Sequence, residues 1–138
     1  MRIVVAAKPD ADQPWVADAA AKLAKQTGAS VAVISVDDVE LERLTPLPRE
    51  VYLERAQRAA DTVVRRLADA GVAATPAVLS GRTLDRILQY AEEQHADLIV
   101  VGSSTRPAIT ERLLGSVPLE LIKKAHRPVL VIANPGHL

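Results

Sequence analysis

The segment "ADLIVVGSSTRPAITERLLGSVPLELIKKAHRPVLVI" (residues 96–132) decides the fold, because two kinds of apolar pattern alternate along it. "DLIVVG" (97–102) and "PVLVIA" (128–133) are short, rich in Val and Ile, and bounded by turn residues. Such runs suit strands buried on both faces of a parallel sheet, where polar alternation is lost. Between them Val117, Leu121 and Ala125 recur at helical spacing. Lys123, Lys124 and His126 crowd the last turn of that helix, where cations suit the negative end of its dipole. Strand, helix and strand make one crossover unit, which is what joins parallel strands.

The same alternation extends back to the first residues. "RIVVAA" (2–7), "SVAVISV" (30–36) and "VAATPAVL" (72–79) read as three further strands. The stretches between them carry Val16, Ala19, Ala20 and Leu23, then Ala56, Ala60, Val63 and Leu67, then Leu84, Ile87, Leu88 and Ala91, all at helical spacing. Gly28 and Gly71 mark where the first two helices stop. Five strands separated by four helices predict an α/β fold with a doubly wound, five-stranded parallel sheet. At 138 residues, 49% of them hydrophobic, the chain suits a single domain over 1–138.

Charge and composition narrow the function classes. Seventeen basic residues balance seventeen acidic ones, so the electrostatic footprint of a nucleic-acid binder is missing and any phosphate affinity is local. There is no cysteine, hence no disulfide framework, thiolate nucleophile or Cys-based metal site. "MRIVVAAKPD" (1–10) breaks its apolar run with Lys8 and Pro9, unlike a signal peptide, and no stretch approaches membrane-spanning length. The expectation is a soluble, cytoplasmic protein.

Two connections exceed the usual two to six residues: Asp37 to about Pro48, and "GSSTRPAITERLLGS" (102–116). In an open parallel sheet, ligands bind beyond the carboxyl ends of the strands, where the strand order reverses. If the first and fourth strands flank that point, "AKPD" (7–10) and residues 102–116 face one crevice. Gly115 and Ser116 precede the fourth helix, so the N–H groups at Ser116 and Val117, the Ser116 hydroxyl and the helix dipole converge on a place for an anion. The plainer alternative is that Gly115 makes a turn and Ser116 a cap. Gly102 leaves room for a ligand or another backbone, or simply turns the chain. Lys8, Arg106 and Arg112 are either anion ligands or solvated cations, and Glu111 offsets part of their field. Asp37 and Asp38 either hold Mg²⁺ beside a nucleotide or begin a solvated loop. His95, His126 and His137 are scattered and read as surface residues. Neither G-x-x-x-x-G-K-[ST] nor G-x-G-x-x-G occurs, and no nucleophile, base and orienter set names an enzyme.

"ADLIVVG" followed by a loop ending in "LLGSVPLELIKKAHRPVLVI" resembles the universal stress proteins of the UspA-like superfamily, and the element order matches over essentially the whole chain. The resemblance implies a Rossmann-like sheet of order 3-2-1-4-5. Its ATP-binding members carry G-x-x-G-x(9)-G-[ST] after the fourth strand; here Gly102, Gly115 and Ser116 match, with Thr105 at the second Gly. Where those members have an acidic residue after the first strand, as in V-D-G-S, this chain has Ala7, Lys8, Pro9 and Asp10. Carried over residue by residue, the resemblance implies a site for ATP or another adenine nucleotide at Ala7, Lys8, Val36, Gly102, Thr105, Arg106, Gly115, Ser116 and Val117, with the Val36 backbone receiving adenine. A β-branched Thr105 bends the loop path away from the family's, and Lys8 exchanges a carboxylate for an ammonium. The resemblance also implies a homodimer through the fifth strand, whose uniformly apolar edge needs a cover. The alternative is a nucleotide-independent interaction protein that uses the dimer surface and the Asp37 to Pro48 loop. Slow ATP hydrolysis needs an activating group that the sequence does not identify.

Overall fold

The computed structural model describes residues 1–9, 11–40, 47–103 and 116–135, apart from the Ser116 side chain. Nine elements alternate along the chain: β1 (Arg2–Ala6), α1 (Pro14–Thr27), β2 (Ser30–Asp38), α2 (Arg49–Asp69), β3 (Ala74–Gly81), α3 (Thr83–Glu93), β4 (Leu98–Gly102), α4 (Ser116–Lys124) and β5 (Val129–Ile132). The strands form one sheet in the order β3-β2-β1-β4-β5, and every neighbouring pair is parallel. The chain winds outward from β1 to β3, then returns to the other side of β1, so the order reverses between β1 and β4.

Strand alternation sends side chains to two helical layers. Ile3, Val5, Val31, Val33 and Val100 meet Val16, Ala20 and Ala24 of α1 and Ala60 and Leu67 of α2. Val4, Ile34, Val36, Ile99 and Val101 meet Ile87 and Ala91 of α3 and Leu121 of α4. The alanines on the inner face of α1 carry little bulk, which lets the helix lie close to the sheet. Each fully buried Leu or Ile contributes about 1.5–3 kcal/mol by leaving water.

All four helices end near a residue in left-handed conformation, which frees the chain to turn toward the next strand. Gly28 and Gly71 do this at φ 70° and 86°, as predicted, whereas α3 and α4 use His95 and His126 at φ 51° and 52°. In α2 and α3 the backbone closes with paired bonds: Val72 N–H to Leu67 C=O at 2.8 Å and Gly71 to Ala68 at 2.9 Å, then Ala96 to Ala91 at 2.9 Å and His95 to Glu92 at 3.2 Å. Both histidine side chains are exposed.

Two sequence-based boundaries are corrected. β2 continues past Val36 to Asp38, and β3 spans Ala74–Gly81 rather than 72–79. The cause is pairing: Asp37 registers with Ser80 and Asp38 with Gly81, so β2 and β3 extend together beyond the point where β1 leaves the sheet. No helix among the described residues is long and apolar enough to cross a membrane.

Candidate functional site

The crevice at the reversal point is built from the ends of β1, β2 and β4 and the start of α4. β1 pairs with β2 as far as Ala6 opposite Ile34. Ala7 adds one more contact: its N–H donates to the Ile34 carbonyl at 2.7 Å, and its own carbonyl accepts the buried Ser35 hydroxyl at 2.8 Å. Both polar backbone groups of Ala7 are thereby engaged, so this residue offers a ligand only its methyl group.

Val36 behaves in the opposite way. Alternation along a parallel pair turns the backbone groups of Ile34 toward β1, and therefore those of Val36 as well, two residues on. No β1 residue registers with Val36. The Val36 side chain is buried in the α3 and α4 layer. The residue as a whole is 4% exposed, and the β1 register ends before its N–H and C=O.

Gly102 ends β4, and its missing Cβ serves a close approach of side chains. A Cβ placed there would lie 2.8 Å from both amide heteroatoms of Gln13 and 2.8 Å from Cγ2 of Val16. Gln13 occupies the cap position of α1 without capping it. Its buried amide donates instead to the Ser103 carbonyl at 3.1 Å, latching the β1–α1 turn to the end of β4. Ser103 extends the latch to the edge strand: its N–H donates to Ile132 C=O at 2.9 Å and its hydroxyl accepts the Asn134 N–H at 3.1 Å. Sequence reasoning missed Gln13 and Ser103; the available signal was a Gln ahead of Pro14 where Ser, Thr or Asp would normally cap a helix.

Thr105, Arg106, Arg112 and Gly115 lie outside the described residues. Ser116 and Val117 open α4, with Val117 half-buried against the second core layer. The N–H groups in the first turn of α4 have no acceptor within the helix, the geometry that favours an anion.

Asp37 is not part of a solvated loop: it is 2% exposed and sits beneath the start of α2. One carboxylate oxygen lies 3.6 Å from the Arg49 guanidinium and 3.4 Å from the Ser80 hydroxyl, while Oδ1 has no partner. Asp38 acts as a cap across the sheet edge. Its oxygens accept the Glu40 N–H at 2.9 Å and the Thr83 hydroxyl and N–H at 2.7 and 3.3 Å, which starts α3 where Arg82 makes no side-chain cap. Asp37 is thus sealed and Asp38 engaged with α3, and no cluster of three metal-ligating groups occurs among the described residues.

Beside the crevice, a groove of about 340 Å³ runs between the β1–α1 turn and α2. Ala7 and Lys8 line it, with Arg55 and Arg58 opposite, whereas Val36 and Gly102 do not. The structure thus divides the predicted residues: Ala7 and Lys8 face the groove, Val36 and the start of α4 face the crevice, and Gly102 holds the latch.

Comparison with known proteins agrees with this architecture. The model of the universal stress protein family matches residues 1–133. Universal stress protein MJ0531 of Methanocaldococcus jannaschii is 35% identical over 122 residues, covering 84% of this chain and 72% of that protein. A structure of the universal stress protein from Archaeoglobus fulgidus superposes with a TM-score of 0.78 at 26% identity, covering 96% of this chain and 98% of that one. A structure of the universal stress protein from the same organism in complex with dAMP gives a TM-score of 0.75 at 26% identity, covering 96% and 97%. With the sheet order, the crossover helices and the whole-length match in agreement, this chain belongs to the universal stress protein family.

Proposed function

We propose that this chain binds an adenine nucleotide in the crevice, as a binder rather than a catalyst, and acts as a homodimer. The observation that carries the reading is the end of the β1 register at Ala6 opposite Ile34, which leaves the N–H and C=O of Val36 without a β1 partner. Adenine presents a ring-nitrogen acceptor beside an amino donor, which complements one N–H and one C=O of a single residue. The phosphate then meets the start of α4 at Gly115, Ser116 and Val117, with Thr105 and Arg106 on the preceding loop. The dAMP complex of the Archaeoglobus fulgidus relative supports a nucleotide of this class.

The homodimer rests on β5. All four of its residues are half-buried and apolar, and on the adjacent α4 Leu119 and Ile122 are 39% and 55% exposed. The opposite edge strand, β3, carries Pro76, which interrupts any ladder with a newcomer; β5 has no such device. Val131→Lys places a charge in the contact and shifts the protein toward monomer or aggregate in sedimentation. A wild type that sediments as a monomer at micromolar concentration overturns the dimer.

Trp15, half-buried at the start of α1 beside the latch, reports on the crevice through its emission. AMP quenches or shifts that emission with saturation, and adenosine does so more weakly because it lacks the anion. Inosine monophosphate reverses the donor and acceptor edge and binds about tenfold weaker or worse, as expected when a buried pair is mismatched. Silence with AMP, ATP and cyclic AMP at millimolar concentration, in emission and calorimetry alike, favours the nucleotide-independent interaction protein instead.

A further inference from the structure

Ser103, the residue after β4, joins three segments of the chain. It is 6% exposed, and Gln13, on the β1–α1 turn, is 9% exposed. The Ser103 carbonyl accepts the Gln13 amide at 3.1 Å, its N–H donates to the Ile132 carbonyl at 2.9 Å, and its hydroxyl accepts the Asn134 N–H at 3.1 Å. Ile132 is the last residue of β5 and registers with Gly102. One buried residue thus holds the turn ahead of α1, the end of β4 and the end of the edge strand.

Packing makes these parts move together. The Gln13 amide and Cγ2 of Val16 fill the space where a Cβ on Gly102 would stand, so the turn lies directly on the end of β4. The bond from Gln13 to Ser103 is buried, and a shift of the turn either draws Ser103 with it or leaves an amide and a carbonyl unpaired away from water. The same holds for a shift of Ile132 from the other side. Gln13 also gives up a local role for this contact, since it stands at the cap position of α1 and makes no cap bond.

The two sides of Ser103 carry different proposed roles. The turn begins at Ala7 and Lys8, which belong to the proposed nucleotide site, and β5 is the strand proposed to pair with a second copy. We propose that Gln13 is a positioning residue that, through Ser103, couples nucleotide occupancy to pairing of β5. Each event fixes the same buried contact, so whichever comes second has less to order, and the coupling is positive. Nucleotide tightens the dimer, and the dimer tightens nucleotide by the same factor. The coupling rests on the nucleotide and dimer readings above.

The test uses the full chain. Saturating AMP lowers the wild-type dimer dissociation constant in sedimentation about fivefold or more. Gln13→Leu keeps similar bulk without the amide; it still binds AMP and still dimerises, each more weakly, while the effect of AMP on the dimer falls below about twofold. Ser103→Ala removes only the hydroxyl that accepts the Asn134 N–H and reduces the effect in part, so it decides the matter if circular dichroism shows Gln13→Leu unfolded. A measurement without ligand accompanies these. Hydrogen exchange of the Asn134 N–H, across Ser103 from Gln13, quickens about tenfold in Gln13→Leu, while the Ala7 N–H on Ile34 exchanges as in the wild type. Wild-type exchange at Asn134 in folded Gln13→Leu overturns the connection through Ser103. AMP that binds without changing the dimer constant, or an undiminished effect in a folded variant, overturns the coupling and leaves the nucleotide reading standing. A wild type that binds no AMP in calorimetry refutes the nucleotide reading and the coupling with it, and calorimetry alone tells that failure from the others.

Discussion

At the amino end of the sheet the loops are pinned by direct polar contacts. The Arg2 N–H donates to Asp97 at 2.7 Å, and its guanidinium reaches Ser30 at 3.1 Å and Gln94 at 2.8 Å, tying the starts of β1, β2 and β4. Arg127, just before β5, donates to the carbonyls of Ala91 and Ala96 and pairs with Glu92, which clamps the end of α3. At the carboxyl end the strands stop at different heights: β1 at Ala6, β4 at Gly102, and β2 only at Asp38. At the amino end these side chains cross-link neighbouring elements, whereas at the staggered carboxyl end β2 runs on past the last β1 residue in register, so Val36 has no β1 partner opposite it. The difference separates an end where side chains bind the elements together from one where strand pairing stops unevenly.

The sharpest way to break this comparison is at Gly102. Gly102→Val drives a branched side chain into Gln13 and Val16, and the overpacking costs about 3 kcal/mol while it springs the latch. A lowered urea midpoint together with lost nucleotide binding is the expected outcome; unchanged stability means the contact at Gly102 is not a packing constraint. Arg127→Ala strikes the amino end alone. It removes two carbonyl contacts and one ion pair for a loss of about 2 kcal/mol, while AMP affinity in calorimetry stays as in the wild type. A parallel loss of affinity shows that the two ends are coupled. His95→Gly has the smallest effect and the opposite sign. Relief of left-handed strain stabilises by a few tenths to about 1 kcal/mol, read as a rise in Tm without change in ligand binding.

The same contrast explains what was legible in the sequence. Runs such as "DLIVVG" and "SVAVISV" announce buried strands because Val and Ile have little other use at that density, and Gly28 and Gly71 announce helix ends because their backbone angle favours glycine. His95 and His126 do the same work without that signature, since the Schellman bonds and the following strand impose the angle on whatever residue is there. Asp37 and Asp38 look like the start of a loop because two carboxylates rarely end a buried strand. Their partners Arg49, Ser80 and Thr83 come from three later segments and are visible only once the chain is folded. Gly102 was recognised as a place of close approach, but what approaches, the Gln13 amide, depends on a 90-residue separation that no local pattern reveals. That the Val36 backbone receives adenine is what the family resemblance implies; the length difference between β1 and β2 that leaves Val36 beyond the β1 register shows only in the pairing.

The proposed contact of adenine with the Val36 backbone is tested directly by the amide resonance of Val36. In a ¹⁵N–¹H correlation spectrum titrated with AMP, the Val36 N–H moves with saturation as adenine takes it up, together with Ser103 and Val117 around the crevice. The amides of Asp97 and Leu98 at the amino end stay fixed. Perturbation that leaves Val36 in place while saturating elsewhere, or that spreads equally to Asp97 and Leu98, contradicts the account.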